Sequence, residues 1–169
     1  MLFRSIEPKM SFGTGHHATT ALMAEQLLKF SVKMKAVLDM GCGTSLLAIL
    51  AAKMGARDVT AIDIDDWCIM NSLENIIHNH VEMIHVDKGD ANSISEKTFD
   101  VILANINRNV LLRDIPAYAR SLPKNGILVV SGFLQADIDS IDKISKSAVL
   151  IKEDEQILND WAVIRYIKK

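Results

Sequence analysis

Residues 36–47, AVLDMGCGTSLL, constrain the fold of this chain more than any other stretch. The aliphatic run Ala36, Val37, Leu38 ends in Asp39, and a glycine-spaced turn follows, Gly41-Cys42-Gly43. Leu46 and Leu47 then open the apolar face of a helix. A strand that enters a helix through a glycine turn can bring backbone N–H groups, at the positive end of the helix dipole, close to a ligand. Gly41 and Gly43 carry no Cβ, so the turn can be tight and a ligand can lie against it. A dinucleotide fingerprint, G-x-G-x-x-G, would place its third glycine at position 46. Leucine stands there, which counts against NAD. A βα turn of an unrelated α/β protein fits the loop equally well.

An acidic residue two positions before the first glycine resembles instead the Rossmann-like class of S-adenosylmethionine-dependent methyltransferases. In that class the loop cradles the methionine part of the cofactor. The resemblance implies cofactor contacts at Asp39, Gly41, Cys42 and Gly43. Its third small position is usually glycine; here it is Ser45.

A chain of 169 residues makes one domain that buries roughly two-thirds of its unfolded surface. With 49% apolar and 24% charged residues and a net charge of −2, it has an ordinary globular composition and lacks the clustered Lys and Arg of a dedicated nucleic-acid binder. Cys42 and Cys68 have no metal-ligand spacing and read as free thiols of a reducing compartment. No run has the length of a membrane span and no signal-peptide pattern opens the chain, so the expected location is cytoplasmic.

The chain begins with an extended lead-in, since Pro8 disfavours helix at Glu7. Residues 11–20, SFGTGHHATT, form a glycine loop, and Thr19 or Thr20 can cap the helix carrying Leu22, Met23, Leu27 and Leu28. Adjacent His16 and His17 point apart on most backbones and make a poor metal pair. The helix over 45–54 stops at Gly55. Strand 58–63 ends in Asp63, where Rossmann-type sites place the carboxylate that binds ribose hydroxyls. Asp63 is the choice for that role, leaving Asp65 or Asp66 to cap the amphipathic helix 66–79 (Trp67, Met70, Leu73, Ile76, Ile77). A third strand spans about 81–86, and Gly89-Asp90-Ala91 follows. There the methyltransferase class often offers a carboxylate and an N–H to adenine, although a glycine-aspartate pair is also an everyday turn.

Strand 99–104 is nearly all apolar, as a strand buried on both faces should be, and ends in Asn105-Ile106-Asn107-Arg108. Helix 109–121, strand 127–131 and helix 135–146 come next. Two β runs, 148–153 and 161–167, close the chain as an antiparallel hairpin around a polar stretch at Glu155 and Asn159. The expected fold is therefore α/β: a seven-stranded, mostly parallel sheet with an antiparallel C-terminal edge.

Taken in order, SFGTGHHATT, LDMGCGTSLLAILAAKMGA, AIDID, GDA and LANIN resemble the PrmA family over nearly the whole chain. That family methylates amino groups of protein eleven of the large ribosomal subunit. The pairing of the F-G-T-G-x-H loop with A-N-I is its most specific element. His17-Ala18 departs from the family's more usual residue-proline pair. The family also carries an N-terminal domain that grips the ribosomal protein. With the loop only a few residues into the chain, the expectation is a fragment of a longer protein, with a stand-alone relative as the other reading. The resemblance implies S-adenosylmethionine as methyl donor, S-adenosylhomocysteine as product and a ribosomal protein as partner. It divides the chain into a lead-in and cofactor lid over 1–20 and a methyltransferase domain over 21–169. Phe12, Gly13, Thr14, Gly15 and His16 become the lid, Thr20 reaches the methionine carboxylate, Asp63 and Ile64 hold the nucleoside, Asp90 and Ala91 meet the adenine, and Asn105 and Ile106 hold the amine beside the cofactor. No direct nucleic-acid contact and no metal are expected. Two alternatives stay open: a nucleic-acid or small-molecule methyltransferase, and a non-catalytic cofactor-binding domain. A nucleic-acid methyltransferase usually follows its asparagine with prolines and an aromatic ring; Ile106-Asn107-Arg108 has neither.

Overall fold

The computed structural model describes residues 17–169. Its elements run α1 (Ala18–Leu28), β1 (Ala36–Met40), α2 (Leu46–Lys53), β2 (Asp58–Asp63), α3 (Asp66–Asn79), β3 (Ile84–Lys88), β4 (Val101–Asn105), α4 (Arg108–Arg120), β5 (Ile127–Leu134), α5 (Ile138–Ser147), β6 (Leu150–Leu158) and β7 (Trp161–Lys168). Short 3-10 turns occupy Ala91–Ile94 and Gln135–Asp137.

Alternation along the central strands builds two cores, one on each face of the sheet. Ala36, Leu38 and Met40 of β1, Ile102 and Ala104 of β4, and Leu128 and Val130 of β5 face one core, with Tyr118 and Ile141. Val37, Val101, Leu103, Ile127 and Val129 face the other, with Leu22, Leu27, Leu47 and Leu50. Successive side chains of a strand point to opposite faces, so a strand covered on both sides reads as an unbroken apolar run.

The seven strands are ordered β3-β2-β1-β4-β5-β7-β6. β1 to β5 pair in parallel. The antiparallel element expected at the C-terminal end is β7, which inserts between β5 and β6 and runs against both. β6 extends to Leu158, so Glu155 belongs to a strand, and only Asn159 and Asp160 make the turn, both with positive φ (49° and 65°). Paired left-handed residues match the twist of a two-residue hairpin.

Two local readings change. The N-cap of α1 is His17, whose side chain accepts from Thr19 N at 3.3 Å; Thr19 and Thr20 lie inside the helix and are buried. More consequential is α3. It spans the expected residues, yet its buried side is Asn71, Ser72, Asn75, Ile76 and Asn79, while Trp67 (54% exposed), Met70, Leu73 and Ile77 (63%) face outward. The reason is chemical: the loop beneath α3 presents carbonyls, and buried carbonyls require donors.

Candidate active site

The parallel strands end on one side of the sheet, and the order reverses at β1, which has β2 on one side and β4 on the other. Open α/β sheets bind ligands at such a switch point. Asp39, the loop Gly41–Ser45, Asp63, Asp90 and Asn105 all fall at this carboxyl edge.

The loop after β1 is anchored through its amides. Gly41 N and Cys42 N donate to Ile62 O at 2.8 and 3.1 Å, and Gly43 N donates to Asp63 Oδ2 at 2.9 Å. These N–H groups therefore tie the loop to β2. Ser45 takes the left-handed conformation (φ 59°), which accounts for glycine being usual at that position. Its hydroxyl donates to Ser72 Oγ at 2.8 Å.

Ser72 is the hub of this flank. Its hydroxyl donates to Gly43 O at 3.0 Å and lies 3.4 Å from Cys42 Sγ. One turn further along α3, Asn75 Nδ2 donates to Thr44 O at 3.2 Å. Neither residue stood out in the sequence. The signal was there as polar residues at 71, 72, 75 and 79, a second stripe at helical spacing opposite the apolar one.

Asp39 is buried, with Oδ2 accepting from Ala48 N at 3.1 Å. Burial pushes its carboxyl up to about 7; the Ala48 bond opposes this, and the nearby Asp63 charge adds to it. Burial likewise pushes the Cys42 thiol up to about 12, so it is no nucleophile at neutral pH.

Asp63, half-buried at the end of β2, accepts from Gly43 N through Oδ2 and from Asp65 N through Oδ1 at 3.1 Å. Each oxygen keeps lone-pair capacity. Asp65 caps α3 by accepting from Trp67 N at 2.9 Å, and Asp66 pairs with Lys88 at 2.7 Å. Ile64, beside Asp63, is 70% exposed, an apolar surface at the rim. Gly89 N donates to Asp63 O at 2.9 Å and joins the ends of β2 and β3. Asp90 begins a 3-10 turn, accepting from Asn92 N at 2.9 Å and Asn92 Nδ2 at 3.2 Å, with Ala91 buried behind it.

Across the switch point, Asn105 pairs in register with Ser131 of β5. Ile106 N donates to Ser131 O at 3.2 Å, and Asn107 caps α4 by accepting from Val110 N at 3.1 Å. Arg108 Nε lies 2.9 Å from Asp137 Oδ1, an ion pair joining α4 to the turn after β5. Ile106 reaches back to the loop: a Cβ built on Gly41 (φ +72°) would stand 2.2 Å from Ile106 Cγ2.

Thr20 lies in the first turn of α1, and His17 meets Trp161 edge-on at 4.8 Å between ring centroids. Phe12, Gly13, Thr14, Gly15 and His16 lie outside the described residues. Among the described residues no group of three or more His, Cys, Asp and Glu could hold a metal ion, and no helix is long and apolar enough to cross a membrane.

A sheet of this order, with a glycine loop after β1 and a carboxylate ending β2, has the Rossmann-like fold of class I S-adenosylmethionine-dependent methyltransferases. A protein solved as a complex with S-adenosylhomocysteine shares that fold at a TM-score of 0.77 and 19% identity, over 91% of this chain and 50% of that one. The match extends to one family. The model of "Ribosomal protein L11 methyltransferase (PrmA)" covers residues 2–169, and the chain belongs to this family. It is 50% identical over 165 residues to the ribosomal protein L11 methyltransferase of Phocaeicola vulgatus, across 97% of this chain and 59% of that protein. The crystal structure of ribosomal protein L11 methylase from Lactobacillus delbrueckii subsp. bulgaricus superposes with a TM-score of 0.90 at 29% identity, covering 97% of this chain and 84% of that one. The chain spans a little under three-fifths of the length of curated relatives it matches.

Proposed function

We propose that this chain is the methyl-transfer unit of a ribosomal protein L11 methyltransferase. It binds S-adenosylmethionine at the switch point and passes the methyl group to amino groups, a lysine side chain or an N-terminal amine. In this reading residues 21–169 form the transfer unit and residues 1–20 belong to the cofactor lid. The observation that carries it is the contact between Ile106 and Gly41, which sets the amine-holding end of β4 directly against the cofactor loop.

The residues fit the cofactor chemically. Asp63 and Asp90 offer acceptors for ribose hydroxyls and an exocyclic amine, and exposed Ile64 between them offers an apolar face to a purine. Thr20, Asp39, Gly41, Cys42, Gly43 and Ala91 complete the set, with Phe12, Gly13, Thr14, Gly15 and His16 assigned by the motif they carry. When bound, S-adenosylmethionine supplies a methyl group on a positively charged sulfur whose departure needs no acid.

The protein's part is to hold an uncharged amine with its lone pair in line, which is chiefly positioning. The Asn105 side-chain oxygen and the Ile106 carbonyl accept N–H bonds from that amine and offset the charge it develops. A lysine amine titrates at about 10.4 and is mostly protonated at neutral pH, whereas an α-amine, at about 7.8, is partly free; desolvation in the site favours the uncharged form of either.

Replacing Asn105 with alanine is expected to lower turnover on ribosomal protein L11 by on the order of 100-fold while S-adenosylmethionine affinity stays within about threefold. Equal losses in turnover and affinity would remove Asn105 from the amine site.

A further inference from the structure

We propose that Gly132 is a positioning residue of the methyl-transfer site: by lacking a Cβ it lets the Ile106 carbonyl lie over β5, where it can hold the incoming amine. The inference rests on the function proposed above and extends it to a residue that touches neither cofactor nor amine.

Gly132 interrupts β5 at the level of the mouth. Its φ is +95°, in the region L side chains rarely adopt, and the pairing of β5 with β7 shifts register between Ser131 and Phe133. A strand bulge of this kind re-aims the local backbone. Here the bulge brings Gly132 against the backbone of a single residue, Ile106. A Cβ at Gly132 would stand 2.3 Å from Ile106 O, 2.7 Å from Ile106 C and 3.0 Å from Ile106 N. All three are backbone atoms, so no rotamer change relieves the clash; the peptide itself would have to move.

The rest of Ile106 is held by separate means. Its N–H donates to Ser131 O, and its Cγ2 sits on Gly41. Ser131 is itself pinned from the other side, its hydroxyl donating to Ala162 O of β7 at 2.7 Å. The amide of Ile106 is bonded to Ser131 and its side chain rests on Gly41, while its carbonyl makes the tightest approach to Gly132. The carbonyl is the part that Gly132 places. An added methyl there would displace an acceptor of the amine, and the nearest atoms it meets all belong to Ile106 rather than to Asp63 or Asp90.

The test compares two ligands in Gly132→Ala. S-adenosylhomocysteine carries no amine at the transfer position; sinefungin carries one on the carbon that replaces the methylated sulfur. The proposal expects the Kd of sinefungin to rise about 10-fold or more, the loss of a charge-assisted hydrogen bond, with that of S-adenosylhomocysteine changing less than about threefold. Equal changes for both ligands, or none for either, would overturn it. Gly132→Asn tolerates positive φ better than alanine but keeps the Cβ, so the selective loss should persist; its recovery would mean that backbone strain alone was responsible. Should both variants fail to fold, Ser131→Ala adds no atom and removes the side-chain hydrogen bond that ties the bulge to Ala162 O of β7. It should then shift the same ratio in the same direction by a smaller factor, and an unchanged ratio would overturn the proposal. A wild-type chain that binds neither ligand would instead contradict the proposed function.

Discussion

The two flanks of the mouth are fastened by different physics. On the β1–β2 side the loop 41–45 is laced by hydrogen bonds: its amides go to Ile62 and Asp63, and its carbonyls receive Ser72 and Asn75. On the β4–β5 side a single hydrogen bond from Ile106 to Ser131 is supplemented by close approach over Gly132 and Gly41. The first flank is sensitive to atoms removed and the second to atoms added. Loss of a buried partner leaves an orphaned polar group, whereas an extra methyl in a filled space forces backbone displacement.

The largest expected effect is electrostatic and lies on the first flank. Because the folded protein holds the Asp39 carboxyl near about 7, against 3.8 when unfolded, the native state binds the extra proton between those values. Stability contributed through Asp39 is therefore present at low pH and lost as pH rises from about 4 to 7, by on the order of a few kcal/mol. Asp39→Asn should gain on the wild type across that window in urea melts at pH 4.5 and 8; a constant difference between them would refute the assignment.

Ser72→Ala should cost about 2–3 kcal/mol, since one hydroxyl serves both Gly43 O and Ser45 Oγ. Chemical denaturation measures it, and a loss below about 0.5 kcal/mol would mean that the loop stands without α3.

Where the flanks touch, a double-mutant cycle sharpens the comparison. Gly41→Ala collides with Ile106 Cγ2 alone at short range, so Ile106→Ala should relieve the collision, with a favourable coupling of about 1–2 kcal/mol. Strain from the positive φ of Gly41 is common to both backgrounds and cancels. Additive losses would show that the two residues do not meet.

The smallest effect belongs to neither flank. Lys29 pairs with Asp154 at 2.7 Å, both partly exposed, so Lys29→Ala should cost less than about 1 kcal/mol and leave cofactor binding unchanged. Lys29 first, and then Gln26, hold the Asp154 carboxyl down at about 2. Its contribution is thus present above about pH 4 and fades as pH falls toward 2, opposite in sense to Asp39.

Much of this was legible in the residue order. β2 and α3 fall on the residues read from periodicity, because Asp63, Asp65 and the turn before them punctuate the chain sharply. Asp63 at the tip of β2 and Asn105 at the tip of β4 were reachable for the same reason: an apolar run ending in a polar residue marks a strand mouth. The inward face of α3 was not. Hydropathy assigns Trp67, Met70 and Leu73 to a core, and only the carbonyls of the loop, a tertiary feature, explain why Ser72 and Asn75 take that place. Gly132 was hidden similarly, since a glycine after Ser131 reads as the end of a strand. In the fold it lies at a bulge within β5, where a Cβ would meet the backbone of Ile106, 26 residues earlier in the chain.

The most direct test is calorimetric titration of the 169-residue chain with S-adenosylmethionine and, separately, with NAD, repeated on Asp63→Ala. One S-adenosylmethionine site is expected in the wild type, with no heat from NAD and affinity at least about 10-fold weaker in the variant. Binding of NAD, absence of S-adenosylmethionine binding, or equal affinity in Asp63→Ala would contradict the proposed function.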